Sequence, residues 1–155
     1  MSSPFTHLVF PEYEFRFQKK DNKVFIFDDL RKKWIVCTPE EWVRQNLIKF
    51  LVETNNYPKA LIAIEKGLKL AGRDYRFDAL VYSRDYKPLL IIECKAPEVR
   101  LGQEVFDQIW NYNYEIDAPF FLVTNGLGFI MGEVSSDKGV KYFDKPASFD
   151  ELEKR

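Results

Sequence analysis

The sequence predicts an α/β (α+β) fold in which helices flank a central mixed β-sheet and an antiparallel β leader precedes this core. Three observations support this fold class. Residues 89–95 begin with four consecutive apolar residues, which is typical of a strand buried on both faces. Helical periodicity begins near Thr38 and again near Leu101, and strand candidates lie between these two segments. Short apolar runs separated by polar turns occupy residues 13–37, as in an antiparallel sheet.

Length and composition describe one globular domain. The chain has 155 residues, of which 46% are hydrophobic, so it is long enough to bury a sizeable core. The net charge of −1 does not by itself indicate nucleic-acid binding. Basic residues cluster at 19–20 and 31–33, where they either form a solvated face or contact phosphates. No apolar run is long enough for a membrane span and no signal peptide is visible, so we expect a cytoplasmic protein whose Cys37 and Cys94 are reduced thiols.

Residues 1–37 are predicted to form the leader. Tyr13 to Phe17 alternates apolar and polar residues, and Val24 to Phe27 is an apolar run. Lys19 to Lys23 is then the loop of a hairpin, and Trp34 to Cys37 forms a third short strand. We expect this leader to cap the core, with contact to DNA as the alternative.

The first helix is predicted to begin at Thr38. Thr38 is a good N-cap, Pro39 suits the first turn, and Glu41 is placed to complete a capping box. At about 100° per residue, Glu40 falls within the buried stripe and points toward the sheet, whereas Glu41 falls off its edge. The alternative is that both glutamates only complement the helix dipole. The rest of the predicted stripe consists of Val43, Leu47, Phe50 and Leu51.

A predicted hairpin brings two carboxylates together. Residues 76–82 form a strand candidate that is joined to residues 89–95 by a short polar segment. If the turn centres between Asp85 and Tyr86, Asp78 pairs directly with Glu93 on one face of the sheet.

Opposed carboxylates indicate a cation site. Because like charges repel, at least one of Asp78 and Glu93 should have a raised pKa in the metal-free protein. A divalent cation such as Mg²⁺ relieves this repulsion, since hard cations prefer carboxylate oxygens. Lys95 lies one strand repeat beyond Glu93, where it can contact whatever the cation binds. The alternative is an ordinary ion pair between Glu93 and Lys95 at the end of a strand.

The remaining elements alternate strand and helix. Leu61 to Leu70 is a strand candidate interrupted by Glu65, an ion-pair partner for Arg44 or Lys95. Leu101 to Tyr114 is a helix in which Gln108 and Tyr112 share one face, and Tyr112 is equally well explained as a core aromatic. The last predicted elements are strands over 120–124, 129–134 and 140–143 and a polar helical tail from Pro146.

Two absences narrow the chemistry. The only histidine is His7, in a loose lead-in over residues 1–11, so the sequence lacks the histidine base that histidine-metal nucleases and Ser-His-Asp hydrolases use. The sequence has no Gly-x-x-x-x-Gly-Lys-(Ser/Thr) phosphate loop, so it contains no ATP-driven motor.

The order of motifs resembles a known nuclease family. Asp78 followed by Glu93-Cys94-Lys95 is similar to the Asp…(Asp/Glu)-x-Lys signature of the restriction-endonuclease-like, PD-(D/E)xK superfamily. Together with residues 38–45, 93–97 and 124–126, it resembles the N-terminal nuclease domain of type I restriction enzyme R subunits over roughly residues 12–130. The resemblance implies a restriction-endonuclease-like core at 38–145, behind the leader at 1–37 and before a tail at 146–155.

The resemblance also implies an activity and a set of site residues. The activity is Mg²⁺- or Mn²⁺-dependent hydrolysis of phosphodiester bonds in DNA. The implied metal ligands are Asp78, Glu93 and the backbone carbonyl of Cys94. Lys95 would orient the attacking water, Glu40 would be an extra carboxylate from the first helix, and Gln108 would orient the active site or the nucleic acid.

The implied partners are DNA and the motor, specificity or modification subunits of a restriction system, without ATP and without a membrane. A complete R subunit carries a motor that this sequence lacks, so the chain is either a stand-alone relative or an excised domain. Two other functions remain open at this point. One is a non-catalytic nucleic-acid- or partner-binding module that retains the fold, and the other is a metal phosphoesterase acting on RNA or nucleotides.

Overall fold

The structure is a computed structural model of the chain. It describes residues 5–64, 67–70, 72–135, 137 and 139–155, and for residues 67–70, 73–76 and 111–115 it describes the backbone alone.

The leader is a three-stranded antiparallel sheet in the order β1-β2-β3. Its strands are β1 (Phe17–Lys20), β2 (Lys23–Asp28) and β3 (Lys33–Val36). A two-residue turn joins β1 to β2, and both Asp21 and Asn22 have positive φ, which these residue types tolerate best after glycine. Because so short a turn lets Lys20 pair with Lys23, β1 continues to Lys20, and its first paired residue is Phe17. The predicted strand from Tyr13 and the predicted longer loop were therefore wrong.

Helix α1 (Pro39–Lys49) follows the leader and continues into a π-helical turn over Phe50–Thr54. Thr38 is the N-cap as predicted, and its Oγ1 accepts a hydrogen bond from the Glu41 backbone N–H (3.0 Å). The second half of the predicted capping box was wrong, because the Thr38 N–H donates to the Val36 carbonyl instead of to the Glu41 carboxylate. Residues 41–48 are buried all round the helix, which indicates packing on more than one side.

The described residues form a main sheet from β4 (Ile62–Ile64), β7 (Ala79–Tyr82), β8 (Pro88–Cys94), β9 (Phe120–Thr124), β10 (Phe129–Val134) and β11 (Val140–Tyr142). The order of these six strands is β11-β10-β9-β8-β7-β4. All neighbours are antiparallel except β8 and β9, which are parallel and are connected through helix α2 (Gln103–Ile116). The predicted mixed sheet flanked by helices is confirmed, as is the order of one helix, three sheet strands, one helix and one strand.

The central strand β8 separates two hydrophobic clusters. Leu90, Ile92 and Cys94 pack in the cluster that contains α1 and parts of the leader. Ile91 packs on the opposite face, with Val105 and other residues of α2. This is the alternation expected of a strand buried on both faces.

The region between α1 and β7 differs from the prediction. The strand predicted over 61–70 is divided into β4, which begins after a 3₁₀ turn, and β5 (Gly67–Leu70). Strand β5 pairs with β6 (Arg73–Arg76) in a separate two-stranded sheet, with Gly72 at positive φ beside the turn. The predicted strand over 76–82 is correspondingly shorter and begins at Ala79. Glu65 lies outside the described residues, so its predicted ion pair stays a prediction.

The chain closes with helix α3 (Phe149–Glu153), which begins at a capping box between Ser148 and Glu151. Phe149 and Leu152 are buried in the α1 cluster, so this segment packs on the core although it was predicted to be polar. Within the part of the chain that the structure describes, no helix has both the length and the apolar character needed to cross a lipid bilayer.

Candidate active site

The two predicted carboxylates meet where β7 begins and β8 ends. Ala79 pairs with Ile92, so the register continues to Asp78 opposite Glu93, as predicted. The predicted turn centre between Asp85 and Tyr86 was wrong, because Tyr82 pairs with Pro88 and a register shift between Val81 and Tyr82 brings the two carboxylates opposite each other. Asp78 itself precedes the strand, and its carboxylate replaces a ladder hydrogen bond: Oδ2 accepts from the Cys94 backbone N–H (2.6 Å). This contact holds the Asp78 carboxylate beside the last residue of β8.

Glu93 is a buried acid, with 4% of its surface exposed. Burial raises the pKa of Glu93 to about 8, and the nearby charge of Asp78 adds to this rise. The Lys95 ammonium, 3.8 Å from Oε2, acts in the opposite direction. The direction of this pKa shift agrees with the prediction, but loss of hydration, and not the charge of Asp78, is its main cause.

Lys95 extends from the end of β8 toward α2. Its backbone N–H donates to the Thr124 carbonyl (2.8 Å), which holds this position against the end of β9. Its Nζ donates to Gln108 Oε1 on α2 (3.2 Å), and the side chain is 24% exposed. Lys95 therefore combines a fixed backbone with an ammonium that reaches solvent. The side chain of Tyr112 lies outside the described residues.

Cys94 contributes through its backbone. Its thiol is fully buried, and this burial raises the pKa of the thiol well above its ordinary value. An extended residue directs its N–H and C=O to the same side of the strand. Because the Cys94 N–H meets Asp78, the Cys94 carbonyl also faces the Asp78 side.

The two glutamates at the start of α1 lie in different surroundings. Glu40 has a side chain that is 46% exposed, and its charge is close enough to contribute to the raised pKa of Glu93. Glu41 is buried, and its carboxylate accepts from Arg44 Nη1 (2.5 Å), Arg31 Nη2 (3.2 Å) and Gln45 Nε2 (2.8 Å). The prediction that Glu41 lies off the buried stripe was therefore wrong, because the leader covers that side of the helix.

Arg44 is a site residue that the sequence reasoning missed. Its Nη2 donates to Asp78 Oδ1 (2.8 Å) while its Nη1 binds Glu41, and the side chain is almost fully buried. The network of contacts extends to the leader through Arg31, which binds Glu41. Arg31 Nε also lies 2.6 Å from Oδ2 of the buried Asp28. The spacing of Arg44, three residues after Glu41 and four after Glu40, was the available signal.

The turn after β9 supports the Lys95 backbone. Thr124 is buried, and its Oγ1 donates to the Gly128 carbonyl (2.6 Å) and accepts from the Gly126 N–H (3.0 Å). Gly126 has φ +82°, and a Cβ at this position would come within 2.6 Å of Leu8. The Thr-Asn-Gly segment therefore needs its glycine both for the backbone angle and for the contact with the lead-in.

The oxygen atoms at this site suit a hard divalent cation that takes only some of its ligands from the protein. Two carboxylates and one backbone carbonyl are oxygen ligands of the kind that Mg²⁺ prefers. Among the described residues, no three His, Cys, Asp or Glu side chains come together as a metal-binding group. Mg²⁺ often keeps several waters and takes its remaining ligands from a substrate phosphate. The residues present therefore fit a Mg²⁺ or Mn²⁺ ion completed by water and phosphate.

The chain is similar to known proteins both in sequence and in fold. A family model described as "Type I restriction enzyme R protein N terminus" matches residues 39–145. No curated protein sequence gives a significant match. A solved fragment structure named for the HsdR subunit of a type I restriction enzyme from Vibrio vulnificus YJ016 is similar in fold, with a TM-score of 0.59 and 19% sequence identity. The match covers 76% of this chain and 25% of that one, so this chain spans about a quarter of its length.

Proposed function

Because this chain belongs to the family of the type I restriction enzyme R protein N terminus, we propose that it is a Mg²⁺- or Mn²⁺-dependent DNA endonuclease domain. One observation carries the proposal: Glu93 is buried opposite Asp78, with the Lys95 ammonium beside it, at the end of a core strand. Burying an acid against another carboxylate lowers stability unless a charge arrives to compensate it. A divalent cation is a compensating charge with a use in phosphodiester hydrolysis.

In this proposal Asp78, Glu93 and the Cys94 carbonyl hold the cation. When bound, the cation supplies Lewis acidity and positive charge to the scissile phosphate. The Asp78 carboxylate is kept in position by the Cys94 N–H and Arg44, and Glu93 is kept in position by its strand. The ligands are therefore placed by rigid elements before any ion binds.

Lys95 acts on the water and on the phosphate. Its partly exposed ammonium can orient the attacking water and stabilise the negative charge that develops in the transition state. Gln108 accepts a hydrogen bond from Nζ, and this contact fixes the direction of the ammonium. Glu40, which is partly exposed and electrostatically coupled to Glu93, is the extra carboxylate of the site.

The proposed substrate is DNA, and the proposed partners are the motor, specificity or modification subunits of a restriction system in the cytoplasm. Family membership supports the restriction-modification context. These 155 residues contain no phosphate loop, so an ATP-driven step would require residues outside them.

The test is cleavage of linear and supercoiled DNA with Mg²⁺ or Mn²⁺. We expect wild-type protein to nick or degrade DNA, and we expect Lys95→Ala to abolish cleavage while keeping metal binding, because Lys95 acts mainly in the transition state. Glu93→Gln should lose both cleavage and metal binding. The matched control is Lys141→Ala, which removes an exposed lysine of β11. Cleavage that survives Lys95→Ala unchanged contradicts the mechanism.

One observation favours a second function, a non-catalytic nucleic-acid- or partner-binding module. Arg44 already neutralises Asp78, so the site is partly compensated by the protein itself. A wild-type protein that neither cleaves any DNA substrate nor binds Mg²⁺ or Mn²⁺ would support this alternative. Preferential inhibition of cleavage by RNA or nucleotides would instead indicate a different phosphoesterase substrate.

A further inference from the structure

The outer face of the leader sheet combines aromatic and basic side chains. Ile26 and Asp28 of β2 are buried on the inner side, so alternation places Lys23, Phe25 and Phe27 on the outer side. Their cross-strand partners lie on the same side, including Trp34 opposite Phe27 and Lys20 opposite Lys23. We call this surface the leader platform, formed by Arg16, Lys20, Lys23, Phe25, Phe27 and Trp34.

The platform presents flat, accessible groups. Trp34 is 38% exposed although it also contacts the Phe27 ring edge-on, with ring centroids 5.3 Å apart. The Arg16 guanidinium stacks on the Phe27 ring at 4.0 Å and lies 5.8 Å from the Trp34 ring. Val36, two residues further along the same strand, is also 38% exposed, so the outer face carries a contiguous apolar patch. Contiguous exposed apolar patches mark binding surfaces more often than single exposed side chains do.

The charge of this segment is opposite to that of the chain. The leader, residues 1–37, contains seven Lys or Arg and five Asp or Glu, a net charge of +2, whereas the whole chain carries −1. One of the five acids, Asp28, is buried and already paired with Arg31. The leader platform itself carries the basic residues Arg16, Lys20 and Lys23, which suit a polyanion.

We propose that the leader platform binds single-stranded DNA, with bases stacked on Trp34 and the adjoining aromatic rings and phosphates on Lys20 and Lys23. Aromatic side chains on a basic surface recognise unpaired bases, because each base offers a π-face to stack on. Paired bases are already stacked inside a duplex, so a flat sheet face selects the single strand. The proposal rests on the proposed function for the identity of the polymer as DNA.

The platform is connected to the active site by a short stretch of chain. Trp34 precedes Glu40 by six residues, which span at most about 20 Å when fully extended. A DNA strand held on the platform thus lies near the start of α1, which carries Glu40.

The binding test uses the full chain in EDTA, so that cleavage plays no part. Fluorescence anisotropy of a labelled oligo-dT is compared with that of a duplex of equal length. We expect wild-type protein to prefer the single strand and Trp34→Ala to weaken oligo-dT binding about tenfold, while Trp34→Phe keeps most of it. The matched control is Tyr86→Ala, which removes an exposed aromatic ring that is not part of the leader platform and should leave binding unchanged.

A salt titration tests the lysines. Replacing both Lys20 and Lys23 with Gln should reduce the magnitude of the slope of log K against log salt by about 1.4, because each phosphate contact on a single strand contributes about 0.7. Lys141→Gln is the control for loss of charge alone and should leave the slope unchanged. Circular dichroism and thermal melting of each variant verify that the fold is kept.

The outcomes separate this inference from the proposed nuclease function. Tighter binding of duplex, no binding of oligo-dT by folded wild-type protein, or equal binding by Trp34→Ala would overturn the inference. Selective loss in Trp34→Ala and in the double lysine variant supports it. If oligo-dT binds in this way but no DNA is cleaved with Mg²⁺ or Mn²⁺, the platform stands and the nuclease proposal fails.

Discussion

Replacement of Glu93 by glutamine should stabilise the metal-free protein at neutral and alkaline pH. The pKa of Glu93 is about 8 in the folded protein, above its ordinary value of 4.5. Between these two values the unfolded chain has released this proton while the folded chain still holds it. The stability that depends on protonated Glu93 is therefore fully present below about pH 4.5 and is lost as the pH rises toward 8.

The size of this effect follows from the same two values. At about 1.4 kcal/mol per pH unit, the interval from 4.5 to about 8 corresponds to about 5 kcal/mol, of which about 3 kcal/mol has been lost at pH 7. Glutamine is neutral at every pH, so Glu93→Gln lacks this loss. The variant should accordingly be more stable than wild type at pH 8, and the advantage should shrink toward pH 5.

The assay is urea unfolding of both proteins in EDTA at pH 5, 6, 7, 8 and 9. The informative quantity is the difference in free energy of unfolding, because other titrating groups such as Glu41 are common to both proteins. Added Mg²⁺ should reverse the ranking at pH 8, since only wild type binds the ion and is stabilised by it. A difference that stays constant from pH 5 to 9 would refute the argument that Glu93 is a buried, protonated acid.

Three further changes probe the site from other directions. Arg44→Met should destabilise the protein by about 3–5 kcal/mol in urea unfolding, because it removes the guanidinium that binds Asp78 and leaves the buried Glu41 with Arg31 alone of its two arginine partners. Thr38→Ala should cost about 0.5–2 kcal/mol by loss of the helix cap and leave metal affinity unchanged in calorimetry. Asp78→Asn should abolish the rise in melting temperature that millimolar Mg²⁺ gives to wild type.

Each of these has a result that would count against it. An Arg44→Met protein as stable as wild type would show that the buried network is not needed for folding. Weakened metal binding in Thr38→Ala would mean that the start of α1 positions the site more strongly than its contacts indicate. An undiminished Mg²⁺ effect in Asp78→Asn would place the ion elsewhere.

Short stretches of sequence determined much of this site. The apolar alternation in residues 89–95 defined the central strand, and a short connection before it predicted an antiparallel hairpin, although the register that places Asp78 opposite Glu93 also depends on the shift between Val81 and Tyr82. The N-cap at Thr38 was likewise predicted from the local sequence and is confirmed. These features depend on residues close together in the chain, where periodicity, capping and turn length are the physical causes.

Only the tertiary structure decided which polar groups are buried and what they contact. The leader covers the side of α1 that carries Glu41, so this glutamate is buried with Arg31 and Arg44 while Glu40 keeps its exposure. The helical periodicity predicted the opposite arrangement, with Glu40 buried and Glu41 at the edge, because it allows for only one buried side of the helix. The pKa of Glu93 likewise depends on the desolvation and charges that distant segments supply. Local pattern does not contain this information, because the surroundings of a buried charge come from parts of the chain that meet only on folding.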